Sequence, residues 1–248
     1  MTRFPQTERQ AGRCVLRDSS LAYGVAAELR TAIMDGAFNL GEPLSEDVIS
    51  DIFGVSRTPV REALRELQAE GLVDIVPKSG TYIFRPSADE ILELGDCRIR
   101  FEAWAVELAI AGNKEGAAND LATLLAAMSD ALDADDRREY NRLDARFHLT
   151  FFDHCGNRYL QRAYRMNVAR ISALRAHLAS RTAGATATSM EEHALIVERF
   201  RRGDAAGVAA VLERHILRTR DSYASALRQR EVVESGSKRD RLVQKLGR

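Results

Sequence analysis

Apolar residues recur every three to four positions through most of the chain, the period of a helix packed along one side. Across residues 21–35 they are Ala22, Val25, Ala26, Leu29 and Ile33. A second short helix is expected from about Ser45, its N-cap, to Phe53, with Val48, Ile49 and Ile52 facing inward. A third spans 56–71. Ser56 or Thr58 caps it, Pro59 sits in the first turn where its missing N–H costs nothing, and Gly71 supplies a left-handed stop. Val60, Leu64 and Leu67 form its apolar stripe, while Arg57, Arg61 and Arg65 lie four apart on another face. The period then shortens. Residues 72–76 and 81–84 are β-branched and aromatic runs flanking Pro77-Lys78-Ser79-Gly80, a hairpin pattern. Two helices joined around Gly54, followed by a hairpin, predict a winged helix-turn-helix.

Beyond Arg85-Pro86, Ser87 and Glu90 form a capping box, and helical periodicity without proline continues to about residue 230. The expected segments are 88–111, 117–134, 137–154, 158–180, 190–202 and 205–227. Breaks fall at Gly112-Asn113, Gly116, Asp135-Asp136, Gly156-Asn157, Gly184 and Gly203-Asp204, and a second capping box is expected at 188–192. The fold class is therefore mainly α: an N-terminal winged helix-turn-helix, then an all-α antiparallel bundle of about six helices. The domains read as a loose arm over 1–18, the winged domain over 19–86, the bundle over 87–230, and a polar, disordered tail over 231–248.

Composition narrows the function. The 248 residues carry 36 Lys plus Arg against 36 Asp plus Glu, so any nucleic-acid site must be a local patch. Cys14, Cys97 and Cys155 are too few and scattered for a disulfide framework or thiolate zinc site. Neither a secretory signal nor a membrane-length apolar run is apparent, and a cytoplasmic location is expected. In the bundle, Asp144 and His148 stand one helical turn apart, and His193 and His215 sit in two further apolar-periodic helices. By themselves these residues suit a salt bridge, satisfied core histidines, or a divalent ion held by three helices. His154 and His177 lack such a setting and read as surface or packing residues.

The run Gly54-Val55-Ser56-Arg57-Thr58-Pro59-Val60-Arg61-Glu62-Ala63-Leu64, with Gly36, Leu40, Gly41, Leu44 and Glu70-Gly71-Leu72-Val73 around it, resembles the DNA-binding domain of GntR-family bacterial transcription regulators. Asp47 departs from that pattern, since some members place a basic, DNA-contacting residue nearby. The second half is similar to the helical effector domain of the FadR subfamily, the FCD fold. The likeness is carried by Arg98-Ile99-Arg100-Phe101-Glu102, Asp144, Phe147-His148, Gly156-Asn157, Glu192-His193 and His215-Ile216.

The resemblance implies a transcriptional regulator, commonly a repressor, that binds a palindromic double-stranded operator as a homodimer. The helix over 56–71 would enter the major groove. Arg57 and Arg61 are then base or phosphate contacts, Ser56 and Thr58 phosphate contacts, and Arg65 a backbone contact. Lys78 and Gly80 sit at the wing tip. It further implies a divalent ion held by Asp144, His148, His193 and His215, zinc first, with nickel, manganese or iron as alternatives. A small carboxylate effector would reach that ion beside Arg98, with Asn167 and Arg170 as further pocket candidates. The same four ligands would also suit a metal-dependent hydrolase or lyase, or a purely structural metal.

Overall fold

A computed structural model describes residues 14–178 and 185–245. The described elements are α1 (Cys14–Met34), β1 (Pro43–Leu44), α2 (Glu46–Phe53), α3 (Arg57–Ala69), β2 (Val73–Val76) and β3 (Gly80–Ile83). The larger helices α4 (Ala88–Asp133), α5 (Arg137–His154), α6 (Arg158–Leu178), α7 (Ala185–Arg201) and α8 (Ala205–Lys245) follow. The chain divides into two compact units. Of the described residues, one holds 14–33 and 41–84; the other holds 34–40, 85–178 and 185–245.

In the first unit the strands form one antiparallel sheet in the order β1-β3-β2. β2 pairs with β3 through Val73–Ile83 and Val76–Gly80, while the two-residue β1 covers the other edge of β3. That third strand was too short to leave a periodic signal. α3 buries Val60, Ala63, Leu64 and Leu67 against the unit's core. Gly71 turns the chain with φ +70°, as its position after the helix required. Ser45 caps α2 by accepting from the Val48 amide at 3.4 Å. The face of α2 differs from expectation: Ile49 is buried, but Val48 is 54% and Ile52 73% exposed. At about 100° per residue, Val48 and Ile52 sit one above the other, a step round from the side that packs.

The second unit is a bundle whose core joins Val106, Leu121, Phe147, Phe151, Phe200 and Ile216 with smaller residues. Its first helix begins with the expected capping box: the Ser87 hydroxyl accepts from the Glu90 amide at 3.1 Å, and Glu90 accepts from the Ser87 amide at 2.7 Å. The expected break at Gly112-Asn113 is present: α4 consists of two helical stretches separated by a kink at Asn113, whose backbone is non-helical (φ −149°, ψ 59°). The Asn113 side chain accepts from the Gly116 amide and bonds His154 Nδ1 at 2.8 Å, while His154 Nε2 bonds Asp120 at 2.8 Å. His154 is thus a strut of the kink rather than a generic surface residue.

Three expected boundaries are corrected. α7 starts at Ala185, so 188–192 lies within a helix and caps nothing. The arm over 1–18 is helical from Cys14; its earlier part lies outside the described residues. The supposed disordered tail is helical to Lys245. Its Lys, Arg, Gln and Glu residues are good helix formers, and no proline interrupts them.

Candidate metal centre and DNA-reading helix

α5 presents Asp144 and His148 on one face because they are four residues apart, and Phe147 beside them is fully buried. α7 supplies His193 and α8 His215. The His148, His193 and His215 rings lie 4.9–5.4 Å apart between centroids. One nitrogen from each falls within 4.8 Å of the others, and all three side chains are buried. Asp144 borders the cluster, with Oδ1 3.5 Å from His193 Nε2 and Oδ2 3.9 Å from His148 Nε2.

Two glutamates orient the rings. His148 Nδ1 is 2.7 Å from Glu102, and His215 Nδ1 is 2.8 Å from Glu192. An ionised carboxylate only accepts, so each Nδ1 carries a proton, which in a neutral ring leaves the lone pair on Nε2. Burial alone would raise Glu102, but Arg98 and His148 outweigh it and hold the carboxyl well below its usual range. Glu192, likewise raised by burial, is pulled down to about 2 by bonds from His215 and Arg218. Burial pushes His148 down to about 4 despite Glu102, and pushes His193 well below its usual range. Both imidazoles are thus neutral near pH 7, the protonation state a metal requires.

The residues fit a divalent ion. His148 Nε2 and both His193 nitrogens are buried without a hydrogen-bond partner, an expensive arrangement that a cation at the shared point would relieve. Three imidazoles and one carboxylate without thiolate suit zinc, and equally nickel, iron or manganese.

Two buried arginines flank the cluster. Arg98 donates from Nε to Glu102 at 2.5 Å, and Arg175 of α6 pairs with Asp144 at 2.6 Å. Arg98 Nη2 and Arg175 Nη1 have no partner, so each guanidinium keeps a donor in reserve. Arg98 borders a small cavity of about 30 Å³ with Ile91, Leu174, Thr219 and Tyr223. This is about a fifth of a cavity that holds a six-carbon ring. Asn167 and Arg170 line neither this cavity nor the larger one on the outer face of α5 and α6. Arg175, Glu102 and Glu192 were not assigned roles from sequence. Arg98 and Glu102 are one turn apart, a usable signal; Arg175 finds Asp144 only through folding.

In the first unit, Arg57, Arg61 and Arg65 are all exposed on α3, and Thr58 lies beside them in its first turn. Ser56 holds the N-cap position but makes no capping bond with its side chain. α2 returns two carboxylates to this face: Asp47 lies 2.7 Å from Arg57 Nε, and Glu46 2.8 Å from Arg61 Nε. At the other end of α3, Arg30 of α1 binds Glu70 at 2.6 Å and Glu66 at 2.7 Å. Lys78 and Gly80 are exposed at the hairpin turn, where Lys78 takes the left-handed φ of +64°.

Residues 21–83 match the bacterial regulatory proteins of the gntR family, and residues 93–218, about half of the chain, match the FCD domain. The gluconate operon transcriptional repressor of Bacillus subtilis (strain 168) is 32% identical over 146 residues, 59% of this chain and 60% of the relative. The chain therefore spans less than two thirds of that relative's length. Escherichia coli McbR/YncC shares the fold at a TM-score of 0.73 and 20% identity, over 85% of this chain and 98% of that one. The metal-free FCD domain of TM0439 aligns with 58% of this chain and 99% of its own, at a TM-score of 0.51 and 23% identity. Among the described residues no helix is long and apolar enough to cross a membrane. A winged reading head followed by an FCD bundle, matched separately and in this order, makes the chain a member of the GntR family of transcriptional regulators, which are not enzymes.

Proposed function

We propose that this chain is a DNA-binding transcriptional repressor, acting as a homodimer on a palindromic operator, whose DNA affinity responds to a small carboxylate bound at a divalent ion in the bundle. The single observation that carries the effector half is the buried cluster of His148, His193 and His215 with unpartnered nitrogens, set between two arginines that each keep a free donor. Asp144, His148, His193 and His215 would hold the ion, which supplies open coordination positions for a carboxylate oxygen. Arg98 and Arg175 would orient that carboxylate through Nη2 and Nη1. Zinc is the first choice on donor type. The gluconate operon transcriptional repressor, 32% identical over 146 residues, supports the repressor class.

For the DNA half, α3 would lie in the major groove. Arg57 and Arg61 would contact bases or phosphates, Ser56 and Thr58 a phosphate at the helix start, Arg65 the backbone, and Lys78 and Gly80 the neighbouring groove. The chain's zero net charge limits non-specific attraction, so affinity would rest on two heads acting together. A second reading keeps the ion as a structural tie between α5, α7 and α8. The small cavity beside Arg98 favours it, because an effector larger than one carboxyl group needs the bundle to open.

The test uses a duplex selected from a random-sequence pool by the full chain. Arg57→Ala should weaken binding at least about fivefold, since one bidentate base contact is worth about 1–3 kcal/mol. Metal content by mass spectrometry should stay unchanged. His193→Ala should do the converse, losing the ion and any response to gluconate or acetate while still binding DNA. Binding indifferent to Arg57→Ala would sink the DNA assignment. A metal-loaded protein whose DNA affinity ignores both carboxylates would favour the structural tie.

A further inference from the structure

A second cavity is larger than the one beside Arg98. It has about 170 Å³ and lies on the outer face of α5 and α6, within the second unit. Its α5 wall carries Arg138, Arg142 and Arg146, spaced four apart and so stacked on one face. Asp35 enters the same cavity from the segment that follows α1. It pairs with Arg138, and with Arg142 at 2.6 Å and 2.9 Å. Hydrogen bonding from Arg142 and Arg138, acting against burial, keeps the Asp35 carboxyl below its usual range, so it is an anion at neutral pH.

Two guanidiniums thus pair with one carboxylate inside the cavity, and a third, that of Arg146, lines it. Two weaker acidic contacts reach them from outside it: Glu139 at 3.7 Å from Arg142, and Asp153 at 3.3 Å from Arg146. On the α6 wall, Ser172 is 6% exposed and its hydroxyl is buried with no hydrogen-bond partner. Asn141 adds a side-chain amide. No histidine of the metal cluster lines this cavity, so the hydroxyl is not accounted for by that cluster.

We infer that this cavity is a second ligand site, separate from the histidine cluster, for a small doubly charged anion of the phosphoryl type: inorganic phosphate or the head of a phosphate monoester. The size fits, because a cavity of about 150 Å³ accommodates a six-carbon ring and a phosphate has fewer heavy atoms. The chemistry fits, because guanidinium forks match phosphate oxygens bidentately and a serine hydroxyl and an amide complete the coordination. The bound anion competes with Asp35 for Arg138 and Arg142. Asp35 is not free to withdraw unnoticed: Gly36 follows with φ +76°, and a Cβ there would sit 3.0 Å from the Cβ of Ala176 on α6. Occupancy therefore loosens the seat of residues 34–36 on α5 and α6.

The site is tested by calorimetric titration of the full chain with inorganic phosphate in a phosphate-free buffer. Saturable binding tighter than about 1 mM is expected, a free energy of about 4 kcal/mol. Arg142→Ala should weaken it at least tenfold. Asp35→Asn should tighten it several-fold, because the internal competitor loses its charge while the arginines stay. Ser172→Ala should weaken it with unchanged thermal stability, and metal content should be the same in every variant. No saturable phosphate binding overturns the inference, as does an affinity indifferent to both Arg142→Ala and Asp35→Asn. Binding of succinate in place of phosphate overturns the phosphoryl assignment.

Discussion

The reading head and the bundle use the same pair, arginine with carboxylate, in opposite surroundings. On α3, the Arg57–Asp47 pair has side chains 62% and 61% exposed. In the bundle, Arg175 and Asp144 are 6% and 5% exposed, and Arg98 and Glu102 5% and 0%. Water screens the first pair and leaves it worth at most about 1 kcal/mol, so its arginine can exchange partners cheaply. The second set has lost its water, and each charge depends on its partner. Exposed arginines suit a surface that must let go of one anion to take another. Buried arginines suit a site that must hold its shape before the ligand arrives.

The largest expected effect of breaking this contrast lies in the bundle. Arg175→Ala leaves Asp144 as a buried carboxylate beside three imidazoles without its strongest cation. Breaking such a pair costs about 3–5 kcal/mol. Urea unfolding of chelated protein should reveal that loss, and zinc should recover part of it by binding the folded state at Asp144 and the histidines. Arg57→Ala, by contrast, should leave the same transition within about 1 kcal/mol of the parent. Equal losses from the two substitutions would erase the distinction.

The next effect is on pH dependence, and it too belongs to the dry region. His148 is held down to about 4 from an ordinary value of 6.5. In that window the unfolded chain takes up a proton that the folded chain refuses. Stability is therefore level above about pH 6.5 and falls as pH drops toward 4, by roughly 3 kcal/mol at 1.36 kcal/mol per unit. His193 adds to the slope in the same direction. Thermal unfolding of chelated protein between about pH 7 and pH 4.5 measures it. His148→Gln should flatten the slope without removing the His193 share. A chelated protein whose stability does not fall over this window would mean that these imidazoles are not held neutral by the fold.

The two regions were also unequally legible in the sequence. The reading head is local: cap, arginine row, apolar stripe and hairpin turn lie within 44 to 84, and periodicity alone placed all but the two-residue strand β1 and the inward face of α2. In the bundle, Asp144 and His148 were readable because one turn separates them. That His193 and His215 join them was one of several open readings until the resemblance singled it out, since nothing in spacing links α5 to α7 or α8. The roles of Glu102, Glu192 and Arg175 are set by packing: the charged residues of a helical bundle look alike in sequence until folding decides which lose their water. Asp35 is the extreme case, meeting Arg138 and Arg142 over more than a hundred residues of chain.

The smallest effect on stability, and the most informative for reading, is expected at Asp47. Its closest approach to Arg57 is to Nε, at 2.7 Å, and not to the two terminal nitrogens of the guanidinium. Those terminal nitrogens are available for a guanine edge or a phosphate. On the proposed reading, Asp47 lowers affinity for any DNA by presenting an anion near the backbone, and raises discrimination by fixing the direction from which Arg57 approaches. Asp47→Ala should change unfolding free energy by no more than about 1 kcal/mol. It should tighten binding to an unrelated duplex and narrow the ratio between selected and unrelated sequences. Both quantities come from anisotropy titrations over a salt series, because removing one repulsive charge alters the salt dependence of both duplexes together, whereas loss of orientation alters only their ratio. If the ratio is unchanged while both affinities rise, Asp47 is only a repulsive charge. If neither changes, Arg57 does not lie at the DNA, and the exposed pair on α3 is no more than a solvated face.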